Sequence, residues 1–425
     1  MSQSSICLLS VLFVLCGSVV KPALSQTVRV DHRLFPNLHY ADGNWAALYA
    51  ASDGKVYASL AYHGGDGHLA YYDSRSDRMH DACNLTELCG ESNWKRGPQS
   101  KIHAKFGEGK DGRIYFGTHG GYWWNYARYA TKEGYPGAHW MAYDPKANRV
   151  EDFGIGAPQE GINTGAYDPL FHRIYGLTHP RAHFVYYDVA KRKAVDKGRI
   201  NNFESVCRTL GIDDEGNVYG SFGMGRIFKY DPRTDHITEL STRLPVREKG
   251  ISLGRDYNKS ETAWRTVVWD RQTRKFYGVE ESATILFTFD PKSGEVRTLG
   301  QLAIPELASS REAPYATLSL TIGRDRKLYY GAAGREFDYS GSAGPATSHL
   351  ITYDLNTGKT EDLGEMLLAD GSRVLGTNAA DTGLDGTIYM VGAIEVRPQP
   401  GKPVEAAGKI GDVYYRLALI LYRPR

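Results

Sequence analysis

The chain has 425 residues, with 51 lysines and arginines against 49 aspartates and glutamates and a formal charge of +2. That balance excludes the broad basic field of a nucleic-acid-binding surface, so an anionic ligand would have to be met by a local cluster. Apolar residues make up 41% of the chain, and 47 glycines and 29 tyrosines accompany few long apolar helical runs; this points to short strands and tight turns, an all-β class.

Residues 1–25 read as a secretory signal. An apolar stretch from Ile6 to Val20 precedes Ala23-Leu24-Ser25, a small-x-small cleavage pattern before Gln26. An uncleaved anchor is the other reading of that run. The expectation is a secreted or periplasmic protein, monomeric, with no membrane span in the mature part and a single domain over 26–425. That part keeps Cys83, Cys89 and Cys207. Cys83 and Cys89 either close a small disulfide loop or remain two buried thiols around a short helical turn at Asn84 to Leu88, and spacing alone does not choose. Asn84-Leu-Thr86 and Asn258-Lys-Ser260 are glycosylation sequons.

Along the rest of the chain one phrase recurs, an acidic-Gly or similar turn, a polar residue, an apolar residue and Tyr. It stands as Asp53-Gly-Lys-Val-Tyr57, Asp111-Gly-Arg-Ile-Tyr115, Glu215-Gly-Asn-Val-Tyr219, Asp325-Arg-Lys-Leu-Tyr329 and Asp385-Gly-Thr-Ile-Tyr389, with looser copies ending at Tyr175 and Tyr277. An aromatic-Asp pair follows most copies, as at Tyr72-Asp73, Tyr143-Asp144, Tyr187-Asp188, Tyr230-Asp231, Phe289-Asp290 and Tyr353-Asp354. Each unit reads as four strands, and seven units predict a seven-bladed β-propeller of four-stranded antiparallel blades. The C-terminal strand from Tyr414 to Tyr422 needs partners, which predicts that the two chain ends meet in one closing blade. A β-sandwich array is the competing architecture.

In a propeller, the start of each innermost strand and the end of the second strand lie at one face. His119 and His179 stand four residues after Tyr115 and Tyr175, and His63 lies slightly later after Tyr57. Before the corresponding turns come His103, Asn163, Arg208 and Arg265, and His139 opens the third strand of the second unit. Six of the thirteen histidines fall between His103 and His183, so the clustering exceeds what composition gives. The loop between His119 and His139 adds Trp123, Trp124 and Tyr126, and Trp140 follows; aromatic faces beside polar groups suit sugar rings, although core packing accounts equally well for each Trp. Arg181 stands two residues after His179 and joins the candidate substrate-binding set. No cofactor is expected. The histidines lack the paired spacing of a structural zinc site, and a bracing calcium or zinc ion stays open.

At Lys-Ile-His103, Asp-Gly-Arg-Ile-Tyr-Phe-Gly-Thr-His119, Gly-Ala-His139 and Ile-Tyr-Gly-Leu-Thr-His179 the chain resembles secreted seven-bladed propeller polysaccharide lyases, the ulvan lyases and related rhamnose-glucuronate lyases. The resemblance implies β-elimination on an anionic uronic-acid polysaccharide or oligosaccharide. It maps His119 and His139 as the central catalytic pair and Arg208 as carboxylate partner, since a guanidinium can bind a carboxylate bidentately. Tyr126 is the choice for the family's tyrosine. A glycoside hydrolase would want two carboxylates about 5–10 Å apart, and the acidic pair at an equivalent strand end is Glu280 and Glu281. A noncatalytic carbohydrate-binding propeller is the reading from another class.

Overall fold

The structure is a computed structural model that describes residues 26–63, 65–92, 99–120, 135–201, 207–245, 251–252, 255–256, 262–281, 284–308, 312–313, 315–334 and 345–424. It forms a ring of seven antiparallel blades. From the axis outward, blade 1 comprises Leu48–Ala50, Lys55–Leu60, His68–Asp73 and Arg78–Asn84. Blade 2 comprises Gly107–Glu108, Ile114–Gly117, Gly137–Asp144 and Arg149–Pro158, and blade 3 Gly161–Asp168, Arg173–His179, His183–Asp188 and Lys193–Arg199. Blade 4 is Gly211–Ile212, Val218–Phe222, Arg226–Asp231 and His236–Arg243; blade 5 is Trp264–Asp270, Lys275–Glu280, Ile285–Asp290 and Glu295–Gln301. Blade 6 is Leu320–Ile322, Lys327–Ala333, Ser348–Asp354 and Thr360–Leu367.

Blade 7 closes the ring with both chain ends. Val374–Thr382, Ile388–Val396 and Val413–Tyr422 take Asp31–Leu34 as their outermost strand, with Asp31 opposite Leu421 and Leu34 opposite Ala418. Just before it, Thr27–Arg29 runs parallel to the outer strand of blade 6. The amino-terminal segment therefore fastens two blades with backbone hydrogen bonds, and the expected meeting of the ends is met.

The recurring phrase has a local cause. In its turn the Asp accepts a hydrogen bond from the backbone N–H two residues on, at 2.9 Å for Asp53 and Lys55 and 3.1 Å for Asp111 and Arg113. The Tyr four residues after the Asp then donates its hydroxyl to the same carboxylate, 3.0 Å for Tyr57, 2.7 Å for Tyr115 and 2.9 Å for Tyr329. This Asx turn needs a left-handed residue after the Asp, so Gly54 and Gly112 stand at φ 83° and 77°. Blade 6 puts Arg326 there at φ 65° instead, and Arg326 is retained by a two-pronged ion pair with Asp270 of blade 5, at 2.7 and 2.9 Å. In blade 4 the anchor is Asp213 rather than Glu215: Tyr219 donates to it at 3.2 Å.

The same tyrosines fill the seams between blades. Tyr115 stacks on Tyr167 of blade 3 with ring centroids 4.4 Å apart, and Tyr175 meets Tyr230 of blade 4 edge-on. Each ring fully removed from water contributes on the order of 1.5–3 kcal/mol, so one residue type serves both turn and seam. Cys83, Cys89 and Cys207 are thiols. Between the first two lies the short helix Leu85–Leu88, capped by Asn84, whose side-chain oxygen accepts from the N–H groups of Thr86 and Glu87; of the two readings, the turn with thiols is the one found.

Candidate functional site

Residues at the innermost-strand starts and second-strand ends of blades 1 to 3 meet at one end of the ring. Trp45 precedes the innermost strand of blade 1 as His103 precedes that of blade 2, and the two rings stack with centroids 5.3 Å apart and planes 12° from parallel. His103 lies 5.5 Å from His119, which lies 5.8 Å from His179. His63 meets Trp45 edge-on at 5.1 Å, and the Lys101 ammonium sits 4.0 Å above the Trp45 ring and 3.4 Å from His63 Nε2. Four histidines, a tryptophan and a lysine thus form a continuous arc across three blades.

Their protonation follows from the backbone around them. His119 Nδ1 lies 2.5 Å from the Gly120 carbonyl, and His103 Nδ1 lies 2.6 Å from that of Asn163. A carbonyl only accepts, so each Nδ1 carries the proton and each Nε2 presents a lone pair. Burial pushes both rings well below the usual imidazole range, and Lys101 adds to the effect on each; Arg208 contributes at His103. His63 is lowered as well, by burial and then Lys101, against the pull of Asp42, which accepts from its Nδ1 at 2.9 Å. At His63, His103 and His119 the arc therefore holds neutral imidazoles beside the cation Lys101. His119 can approach blade 3 only because Gly161 has no side chain: a Cβ there would lie 2.7 Å from the imidazole.

His139 is placed otherwise. In blade 2, Gly117 pairs with Trp140, so His139 falls opposite Thr118 and out of phase with His119. Successive side chains of a strand leave opposite faces of the sheet. His119 accordingly turns toward blade 3, and His139 turns toward the chain that follows blade 1. There His139 Nε2 is 2.9 Å from Glu91 and Nδ1 is 2.9 Å from Asp152. Although burial opposes its charge, hydrogen bonds with Asp152, Cys89 and Glu91 raise it to about 11, an imidazolium at neutral pH. The expected central pair of His119 and His139 is not brought together: the sheet of blade 2 lies between them, and both ring nitrogens of His139 face carboxylates.

Trp140 is also corrected as a sugar platform. It is 1% exposed, wedged among Gly117, Gly156 and Gly176, and contributes to the core between blades 2 and 3. Arg181 pairs with Glu160 at 2.7 Å on the rim of blade 3. Arg265 is buried and turned to Glu281 at 3.3 Å and to the Tyr315 hydroxyl. Asn163 is buried with its carbonyl on His103. Arg208 is half-buried beside His103. Trp123, Trp124 and Tyr126 lie outside the described residues. Trp45 and Lys101 were not singled out from the sequence, yet both occupy the strand-start positions that marked His103 and Arg208; that register was the available signal. Among the described residues, Cys89, His139 and Asp152 bring three metal-ligand types together.

No protein-family model matches the chain, and no curated sequence is significantly similar. Solved structures are similar over nearly its whole length. A catalytically inactive histidine-to-alanine variant of virginiamycin B lyase from Staphylococcus aureus, with quinupristin, aligns at TM-score 0.56 and 11% identity, covering 93% of this chain and 99% of that one. The WD40 repeats of RRP9 align at TM-score 0.56 and 9% identity, covering 92% and 98%. A fungal alcohol oxidase in complex with copper aligns at TM-score 0.50 and 12% identity, covering 90% and 75%. The shared property is the propeller fold. At these identities it carries neither substrate nor reaction, since a lyase, an oxidase and a repeat scaffold stand on the same ring.

Proposed function

We propose that this protein is a polysaccharide lyase that cleaves a uronic-acid-containing glycan, of the ulvan or rhamnose-glucuronate type, by β-elimination. The observation that carries the reading is the pairing of neutral, carbonyl-pinned imidazoles at His119 and His103 with the cations Lys101 and Arg208. The proton beside a uronate carboxylate is weakly acidic while that carboxylate keeps its charge. Lys101 and Arg208 neutralise the carboxylate, His119 Nε2 removes the proton, and the carbon–oxygen bond to the departing sugar breaks as the ring double bond forms, the departing oxygen taking a proton from solvent water. His103, in contact with His119 and with the same tautomer, presents a second Nε2 lone pair able to accept a proton at the site.

Two further observations support elimination over hydrolysis or simple binding. Of the acidic pair Glu280 and Glu281, Glu280 is fully buried and Glu281 is held by Arg265, which fits them poorly for the roles of a hydrolytic acid and base. The histidines gather on blades 1 to 3, whereas a repeat lectin would spread like sites around its ring. Virginiamycin B lyase, inactive when a histidine is changed to alanine, offers a parallel on a similar fold. We take residues 1–25 as a secretory signal, which would place the enzyme with extracellular or periplasmic glycans, and take it to act as a monomer. The test is a panel of uronic-acid polysaccharides followed by ultraviolet absorbance of the unsaturated uronate. Product appears with at least one member, and Arg208→Ala abolishes it. Cleavage yielding only saturated ends would overturn the proposal in favour of hydrolysis, and binding without cleavage would favour a lectin.

A further inference from the structure

We infer that Cys89, His139 and Asp152 form a binding site for one zinc-type divalent cation at the seam between blades 1 and 2. The three ligand atoms lie within 4.8 Å of one another. A tetrahedral zinc holds sulfur, nitrogen and oxygen ligands roughly 3.5 Å apart, as its bond lengths require, so the group needs only a small closure. A thiolate and an imidazole select zinc over calcium or magnesium, which take oxygen ligands.

The surroundings are those of a ligand set rather than of a chance contact. His139 faces Asp152 through Nδ1 and donates its other ring N–H to Glu91 at 2.9 Å, the carboxylate partner that orients metal-bound imidazoles. Glu91 is itself fixed: Gln99 donates to its second oxygen at 2.9 Å, and the Gln99 carbonyl accepts from Thr118 and Tyr135 at 2.7 and 2.8 Å. Asp152 accepts from the Gly154 N–H at Oδ1, 2.7 Å, and holds both oxygens toward His139 Nδ1, at 3.0 and 2.9 Å. Glu91 and Gln99 are buried, and their bonds to one another and to Thr118 and Tyr135 are in place without an ion. Cys89 ends the short helix that follows blade 1, His139 belongs to the third strand of blade 2 and Asp152 to its outer strand. An ion held by all three would tie blade 1 to blade 2 directly behind Thr118 and His119. On binding, the thiol proton and the imidazole Nδ1 proton leave to solvent, and a water can complete the fourth position.

The competing account is a metal-free imidazolium bridging two carboxylates, in which Cys89 is a bystander. Full-length protein is incubated with zinc chloride or cobalt chloride, desalted, and measured for metal content and, with cobalt, for thiolate-to-metal charge-transfer absorption. About one ion per chain and a clear charge-transfer band are expected. Cys89→Ser abolishes the band, and Glu91→Gln weakens zinc affinity about 10–100-fold, as loss of such an orienting carboxylate does. No stoichiometric zinc, cobalt bound without the band, or unchanged binding in Cys89→Ser would each overturn the site. If a variant fails to fold by circular dichroism, the cobalt spectrum of the unaltered protein decides alone. None of these readouts depends on the activity proposed above.

Discussion

Replacement of His119 separates chemistry from packing when two substitutions are compared. His119 is 6% exposed, with its ring against His103, His179 and the bare backbone of Gly161. His119→Ala therefore removes the base and opens a cavity, at a cost of roughly 2–4 kcal/mol of stability. His119→Gln keeps most of the volume and an amide N–H able to reach the Gly120 carbonyl, but has no basic nitrogen. Loss of a general base costs about a hundredfold to ten-thousandfold in rate, or about 3–5 kcal/mol of transition-state stabilisation. Both variants should lose elimination by that factor in kcat, read from unsaturated uronate absorbance, while His119→Gln stays within a few degrees of the unaltered melting temperature. A His119→Gln enzyme that melts normally and retains more than a tenth of the rate would refute the assignment of Nε2 as base.

Lys101→Met removes a cation that lowers both His103 and His119. Their proton affinities should rise, moving the acid limb of the pH–rate profile to higher pH, while substrate KM increases; an unmoved limb counts against the electrostatic role. Stability should also depend on these rings. The folded state binds fewer protons than the unfolded chain at His63, His103 and His119, whose ordinary value is 6.5, so their contribution is fully present above pH 6.5 and is lost as pH falls below it. Denaturant midpoints measured from pH 7.5 to 5 check the sign. In blade 6, Arg326→Gly relieves a left-handed non-glycine residue worth about 1 kcal/mol, yet it strips the partner from Asp270, a carboxylate 3% exposed and held down to about 2. Loss of a buried partner costs about 3–5 kcal/mol, so a net destabilisation of roughly 2 kcal/mol is expected after allowing for the bonds that Thr273 and Gln272 still give Asp270. A stabilised variant in urea titration would show that the pair contributes little. The contribution of that pair should be present above the ordinary carboxylate value of 3.8 and lost as pH falls through about 2.

The repeat was legible because its cause is local. In blades 1, 2 and 6 an Asp, a left-handed turn and a Tyr four residues on make their bonds within one hairpin, the other blades carry looser forms of the same phrase, and counting phrases counts blades. Even the exceptions are intelligible in these terms: Arg326 replaces a glycine where an ion pair from the preceding blade holds it, and Asp213 stands in for Glu215 two residues earlier. Strand-end register likewise brought His103, His119 and His179 to one mouth, since in a propeller those positions coincide whatever the rest of the blade does.

Tertiary structure alone decided which way each side chain turns and what answers it. His119 and His139 share a loop and a chemistry, but the parity of a strand pair sends one to the proton-accepting arc and the other to Glu91 and Asp152. Trp140 became core because three glycines of two blades leave room for its indole, a fact no single segment contains. Trp45, Lys101 and Cys89 acquired their meaning from partners more than forty residues away. Local hydrogen bonds can be read along a chain because both partners are written within a few residues. A protonation state, a seam or a ligand set depends on what the closed ring brings alongside, and that is fixed only when all seven blades are in place.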